Sequence, residues 1–172
     1  MTPTHLSDIE EIRQLKARYF RLMDQKRWTE WLDVFVDDVR IDTPIDTPGQ
    51  DPIVGRDNFV AFLAPILDGV ITCHHGHTSE IRITGPDTAE GLWAMEDRLD
   101  WPPNKGGAYI VGTGWYEELY RRGADGRWRI ASLTLHRIRI DADGTRVHPP
   151  ADPASSESES RPTDPNLPEN RH

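Results

Sequence analysis

Thr72-Cys73-His74-His75-Gly76-His77 places three of the chain's seven histidines within four residues, inside a segment that otherwise reads as a strand. Imidazole is the side chain best suited to moving protons near neutral pH, so the cluster points first to acid–base catalysis. Alternation along a strand sets His74 on one face and His75 and His77 on the other. A buried His74 needs a hydrogen-bond partner; a carboxylate at one ring nitrogen would fix its tautomer and leave the other nitrogen for substrate. His75 and His77, two apart, could chelate a metal. No further acid or cysteine stands at ligand spacing, however, and acid–base work needs no ion, so no metal and no other cofactor is expected. Packing or hydrogen bonding at a subunit contact suits these two histidines better.

Two further charged residues stand out by periodicity. Asp97 shares a strand face with Trp93, Met95, Leu99 and Trp101, so a carboxylate interrupts an apolar stripe. Buried acids need partners or shifted pKa values, and a salt bridge to a core arginine is the plain alternative to a catalytic role. Arg137 follows Leu133 and Leu135 on one face and could pair with Asp97 or hold an anionic or carbonyl oxygen of a ligand. His136 falls on the opposite face and reads as structural.

These residues must be positioned by a small set of elements. Ile9, Ile12, Leu15, Tyr19 and Met23 recur at helical spacing, which predicts an amphipathic first helix capped by Ser7. Asp24 ends that helix, where an anion opposes the macrodipole unless it has a partner; a solvated turn aspartate is the alternative. Tyr19 lies on the apolar stripe and reads equally as core or as site. A short helix over Thr29–Phe35, a strand over Val39–Asp42 and a proline-rich loop over Thr43–Pro52, a candidate lid or rim, come next. A third helix opens after Gly55, with Phe59, Phe62, Leu63 and Ile66 facing inward and Pro65 marking a kink or an early end. Strands are then predicted over Val70–Ile83, Ala89–Trp101, Tyr109–Arg122 and Trp128–Asp141. Helices followed by long antiparallel strands predict an α+β fold, a curved, mostly antiparallel sheet forming a cone-shaped half-barrel packed on about three N-terminal helices.

Composition bounds the rest. The chain has 172 residues, 36% apolar content and six tryptophans, enough for one core. A net charge of −9 argues against nucleic acid or an anionic membrane as a partner. The single cysteine, Cys73, suits a reducing compartment and is expected as a small buried hydrophobe. No leader-like or bilayer-length apolar segment is visible, so a cytoplasmic protein is expected. Six of the fourteen prolines lie from Thr145 onward, among serines and acids and without an aromatic residue. The expected domain therefore spans 1–146, followed by a disordered tail over 147–172.

The order Tyr19-Phe-Arg-Leu-Met-Asp24, Trp28 and Trp31, Val39-Arg-Ile-Asp42, Cys73-His74-His75-Gly76-His77, Gly91-Leu-Trp93-Ala-Met95-Glu-Asp97 and Asp125-Gly126-Arg-Trp128 resembles a SnoaL-like protein of the nuclear transport factor 2-like superfamily. The likeness spans about residues 7–141. That group includes bile-acid 7α-dehydratase, scytalone dehydratase, a hexachlorocyclohexane dehydrochlorinase, polyketide cyclases and ketosteroid isomerases, besides binding proteins without catalysis. Likeness to the bile-acid dehydratase implies a site made of Tyr19, Asp24, His74, Asp97 and Arg137; the aspartate–histidine pair is shared with scytalone dehydratase and the dehydrochlorinase. The chain departs from scytalone dehydratase in carrying Thr43 where that enzyme has a tyrosine, and Gly114 and Tyr116 near its serine and asparagine.

The resemblance implies a cofactor-independent elimination or isomerisation: His74, oriented by Asp24, removes a proton next to a carbonyl while Tyr19 and Arg137 stabilise the oxyanion. A pocket lined by Trp93, Met95, Phe59, Phe62 and Trp115 would favour a cyclic, hydrophobic, oxygenated substrate of steroid, polyketide or terpenoid type. Two rival readings are a carrier that uses the cavity without chemistry and an assembly subunit that associates through Tyr109, Trp115 and Tyr120 on the outer sheet face. Relatives form dimers or trimers, which implies a homo-oligomer here.

Overall fold

A computed structural model describes residues 3–150. Helix α1 runs Pro3–Asp24, α2 Trp28–Trp31 and α3 Arg56–Leu67; the strands are β1 Phe35–Asp42, β2 Ile53–Val54, β3 Ile71–Gly85, β4 Thr88–Asp100, β5 Tyr109–Arg122, β6 Trp128–Ala142 and β7 Thr145–His148. The strands form one seven-stranded sheet in the order β2-β1-β6-β5-β4-β3, with β7 on β6. Only the β1–β6 pair is parallel. The result is an α+β fold in which three helices pack on a curved, unclosed, mostly antiparallel sheet.

The first helix starts one turn before Ser7. Proline at its first position loses no hydrogen bond, because that N–H has no intrahelical acceptor, and its φ is already helical. Its buried stripe of Ile12, Leu15, Tyr19 and Met23 follows the expected spacing. Beyond α2 the chain tightens into a single 3-10 turn, Leu32–Val34, and enters β1 at Phe35, earlier than expected. The run Val34-Phe35-Val36 explains this, since β-branched and aromatic side chains favour the extended state. Pro65 neither breaks nor ends α3, which continues to Leu67. So close to the C-terminal end, the N–H that proline lacks removes only one intrahelical bond.

An aromatic cluster joins the layers. Trp31 lies 4.9 Å from Phe35, 5.2 Å from Phe59 and 5.4 Å from Tyr19, centroid to centroid, and its indole N–H donates to the Tyr19 carbonyl at 2.9 Å. Beneath α1 a polar network is sealed in the core. Lys16 pairs with Glu118, Glu118 accepts from the Tyr120 hydroxyl, and that oxygen accepts from the Trp93 indole at 2.7 Å. Tyr120, expected on the outer face, is therefore a core residue. Strand alternation sets it on the same side as Tyr116 and Glu118.

The outer face carries exposed Leu92, Tyr109, Trp115 and Leu119. Cys73 is exposed there, against expectation, with Sγ 3.6 Å from His75 Nε2. It occupies the same strand parity as the exposed His75 and His77, whose rings stack at 6.3 Å. Strand β7 carries ordered backbone two residues past the expected domain end at 146; the rest of the expected tail from 151 on lies outside the described residues. No helix among the described residues is long and apolar enough to cross a membrane.

Candidate active site

Asp24, the last residue of α1, meets β3 fifty residues later: its Oδ1 lies 2.6 Å from His74 Nδ1 and its Oδ2 accepts the His74 backbone N–H at 3.0 Å. Thr72 Oγ1 donates to the same Oδ1 at 2.8 Å and in turn accepts from Lys26 Nζ at 2.6 Å. The carboxylate is thus held by both the ring and the main chain of one histidine. Burial by itself would raise the Asp24 carboxyl, but hydrogen bonds from the His74 ring and backbone, its charge and the Thr72 hydroxyl together bring it below its ordinary value. Nδ1–H donating to a carboxylate leaves Nε2 with the lone pair, and Nε2 has no hydrogen-bond partner among the described residues. The His74 side chain is only 7% exposed.

Directly across the sheet, the partner of His74 on β4 is Asp97. Residues opposite one another on antiparallel strands share a face and bring their Cβ atoms within roughly 5 Å. Asp97 Oδ2 accepts from Arg137 Nη1 at 2.7 Å, and both side chains are at least nine-tenths buried. Space for this pair comes from Gly112 on the strand between them: a Cβ there would stand 2.2 Å from Asp97 Oδ1 and 2.3 Å from Arg137 Nη1. Arg137 Nε donates to the carboxylate of Asp46, from the loop between β1 and β2, at 3.2 and 3.3 Å. Burial pulls the guanidinium down, yet the two carboxylates, Asp97 foremost, hold it above its ordinary value. It stays a cation.

The ion pair opens on a cavity of about 340 Å³ whose walls include Tyr19, Tyr116, Phe59, Phe62, Leu135 and Trp101. Burial, reinforced by Glu118, pushes the Tyr19 hydroxyl far above its usual range; burial and Tyr19 do the same for Tyr116. Both phenols are therefore hydrogen-bond donors and not phenolates. The Lys16 ammonium lies under the two rings, 4.1 Å from the Tyr19 centroid and 3.7 Å from that of Tyr116.

Of the residues expected to contact substrate, Phe59 and Phe62 line the cavity and three others do not. Trp93 and Met95 share the inner face with Asp97, but α1 fills the space over them. Phe20 packs so tightly there that a Cβ on Gly76 would lie 2.6 Å from its ring and 3.4 Å from Trp93, and Met95 is buried with Sδ 3.9 Å from Arg137 Nη1. Trp115 is on the outer face, stacked at 4.8 Å on His136, because its neighbours Gly114 and Tyr116 take the inward positions. Reasoning from sequence also missed Asp46, Thr72, Tyr116 and the Lys16–Glu118 pair. Lys16 carried a readable signal, a charge on the apolar stripe of α1; Asp46, in an aperiodic loop, carried none. Among the described residues no group of three or more His, Cys, Asp or Glu side chains is arranged to hold a metal ion.

The sequence profile of the SnoaL-like domain matches residues 4–134. The chain belongs to the SnoaL-like family. Solved structures agree on the architecture. A protein from Kribbella flavida is 24% identical over 80% of this chain and 95% of its own, with a TM-score of 0.72. A putative scytalone dehydratase from Novosphingobium aromaticivorans is 18% identical, covering 82% of this chain and 91% of its own at a TM-score of 0.69. A hexachlorocyclohexane dehydrochlorinase from Novosphingobium barchaimii is 16% identical, covering 85% and 97% at 0.70. This SnoaL-like domain therefore has the nuclear transport factor 2-like cone fold, and the Asp97–Arg137 cavity is walled by residues of its helices and of its sheet.

Proposed function

We propose that the protein is a cofactor-independent lyase or isomerase, acting as a dehydratase on a cyclic, hydrophobic hydroxy-ketone of steroid, polyketide or terpenoid type. The observation that carries this reading is the 2.6 Å contact between Asp24 and His74 Nδ1, which leaves Nε2 without a hydrogen-bond partner among the described residues. Neither Asp24 nor His74 lines the cavity itself, and the link between dyad and cavity is the register that sets His74 opposite cavity-lining Asp97. Family membership supports it, as do the names of two similar structures, a dehydratase and a dehydrochlorinase, both of which denote eliminations.

In this reaction His74 Nε2 takes the proton α to the ketone, and the C–H electron pair moves into an enolate. Tyr19 and Tyr116 donate hydrogen bonds toward the enolate oxygen and the Arg137 cation adds its charge, in a hollow walled mainly by apolar side chains, where such groups act most strongly. Collapse of the enolate expels the β-hydroxyl, which takes the proton back from the imidazolium and leaves as water. The product is the conjugated enone. Asp24 keeps the ring in the Nδ1–H tautomer and stabilises the transient imidazolium, a contribution that in serine-protease triads amounts to about four orders of magnitude in rate.

The test is a panel of hydroxylated steroid and polyketide ketones followed by mass spectrometry for the loss of water. Turnover that disappears in His74→Ala and Asp24→Ala, both still folded, supports the reading. An unchanged mass with altered absorbance moves the assignment to isomerisation. Tight binding with no product over long incubation moves it to a carrier, whose apolar cavity would look the same.

A further inference from the structure

We infer that the ligand of this cavity carries a carboxylate, and that Asp46 occupies that group's place on Arg137 when the site is empty. The inference rests on the proposed small-molecule role of the cavity and narrows its substrate class to an oxygenated cyclic acid.

Arg137 presents two edges. Its Nη1 is committed to Asp97 at 2.7 Å, deep against Gly112. The other edge, Nε with Nη2, faces the loop side, and there Asp46 sets both carboxylate oxygens on the single Nε, at 3.3 and 3.2 Å, while Nη2 has no hydrogen-bond partner among the described residues. A guanidinium binds a carboxylate best as a fork, with two parallel N–H···O bonds of about 2.7–2.9 Å. Asp46 reaches the guanidinium without satisfying it. A free carboxylate, not tethered to a loop, can lie side-on across Nε and Nη2.

Charge favours the same exchange. Arg137 is one cation between two anions, and its side chain is only 10% exposed. A neutral ligand that displaced Asp46 would leave the cavity with the Asp97–Arg137 pair and an unfilled donor edge, whereas a carboxylate restores the arrangement it removes. Displacing Asp46 is also feasible. Its side chain is 33% exposed, and the turn that carries it is held chiefly by Thr47, whose N–H and hydroxyl donate to the Thr43 carbonyl at 2.8 and 2.9 Å. Asp46, Thr43 and Thr47 all line the cavity, so the ligand and the loop compete for one space.

The experiment compares 2-naphthoate with its neutral isostere 2-naphthamide by isothermal titration calorimetry, on the full chain and on Asp46→Asn, Arg137→Lys and His74→Ala. The full chain is expected to bind the acid about tenfold more tightly than the amide, a difference of about 1.4 kcal/mol. Asp46→Asn should tighten naphthoate by about a further tenfold and naphthamide by less, because both probes lose a competitor for the space but only the acid also loses a repelling charge and gains the freed guanidinium edge. Arg137→Lys keeps the charge but loses the fork, and should erase most of the preference. His74→Ala should keep it, which separates this inference from the dehydratase reading: equal affinity for acid and amide overturns the former whatever the dyad does. So does an Asp46→Asn protein that binds naphthoate no better than the parent, or a cavity that admits neither probe.

Discussion

Replacing Asp24 by asparagine keeps the shape of the side chain at the end of α1 and removes its charge. Three donors meet the carboxylate: the His74 ring at 2.6 Å, the His74 backbone at 3.0 Å and Thr72 at 2.8 Å. Asparagine has one acceptor oxygen: at the Oδ2 position it keeps the backbone N–H and turns its N–H₂ on the ring and Thr72, an orientation favoured because the ring can change tautomer and the hydroxyl can rotate whereas the backbone N–H cannot turn away. All three charge-assisted hydrogen bonds become neutral or are lost, which costs about 1–3 kcal/mol of stability. The catalytic loss should be far larger. An amide facing Nδ1 stabilises the tautomer with the proton on Nε2, the nitrogen that must be bare to act as base, and the comparable change in a protease triad costs about 10⁴ in rate. The assay is kcat/KM on the first hydroxy-ketone that loses water, measured for Asp24→Asn, His74→Ala and the double variant beside their urea-unfolding curves. If the two residues act as one unit, each single variant falls by about three to four orders of magnitude and the double falls no further. Independent, multiplying losses, or an asparagine variant within tenfold of the parent, would refute the coupling.

The same carboxylate sets a pH dependence. Its folded value lies below its ordinary 3.8, so its contribution to stability is complete above the unfolded value and is lost as pH falls through the folded one; Asp24→Asn should flatten that acid limb in thermal melts from pH 6 downward. Gly112→Ala drives a methyl to 2.2 Å from Asp97 Oδ1 and should cost about 1–3 kcal/mol in urea unfolding while weakening cavity ligands, because the ion pair must shift. Lys16→Met or Glu118→Gln alone strands a charge in the core and should cost about 3–5 kcal/mol, whereas Lys16→Met with Glu118→Leu should recover most of it, as read from unfolding midpoints. Trp115→Ala should leave ligand affinity within twofold by calorimetry, a change of no more than about 0.4 kcal/mol, since that ring stacks on His136 outside the cavity.

Periodicity located Asp97 because a charge in an apolar stripe is visible locally, and the boundaries of β5 agree with its run of alternating residues from Tyr109 to Arg122. The same rule applies to Lys16, three residues before Tyr19 on the stripe of α1, and to Glu118 between two inward tyrosines. The pairing of Asp24 with His74 is a different kind of fact. Fifty residues separate them, and nothing in either local pattern names the other; the family resemblance supplied that link. Asp46 had neither source, because a loop without period leaves its side-chain direction to tertiary contacts. What joins the two clusters is register. His74 stands opposite Asp97 in a ladder that shifts between Gly76 and Ser79, and a slip of one residue would turn His74 outward and His75 inward. Gly76 resists such a slip: Phe20 approaches it so closely that any side chain at that inner position would collide with α1. The glycine within the histidine cluster is therefore part of the geometry of the Asp24–His74 pair, because it seats the helix that ends in Asp24 against the strand that carries His74.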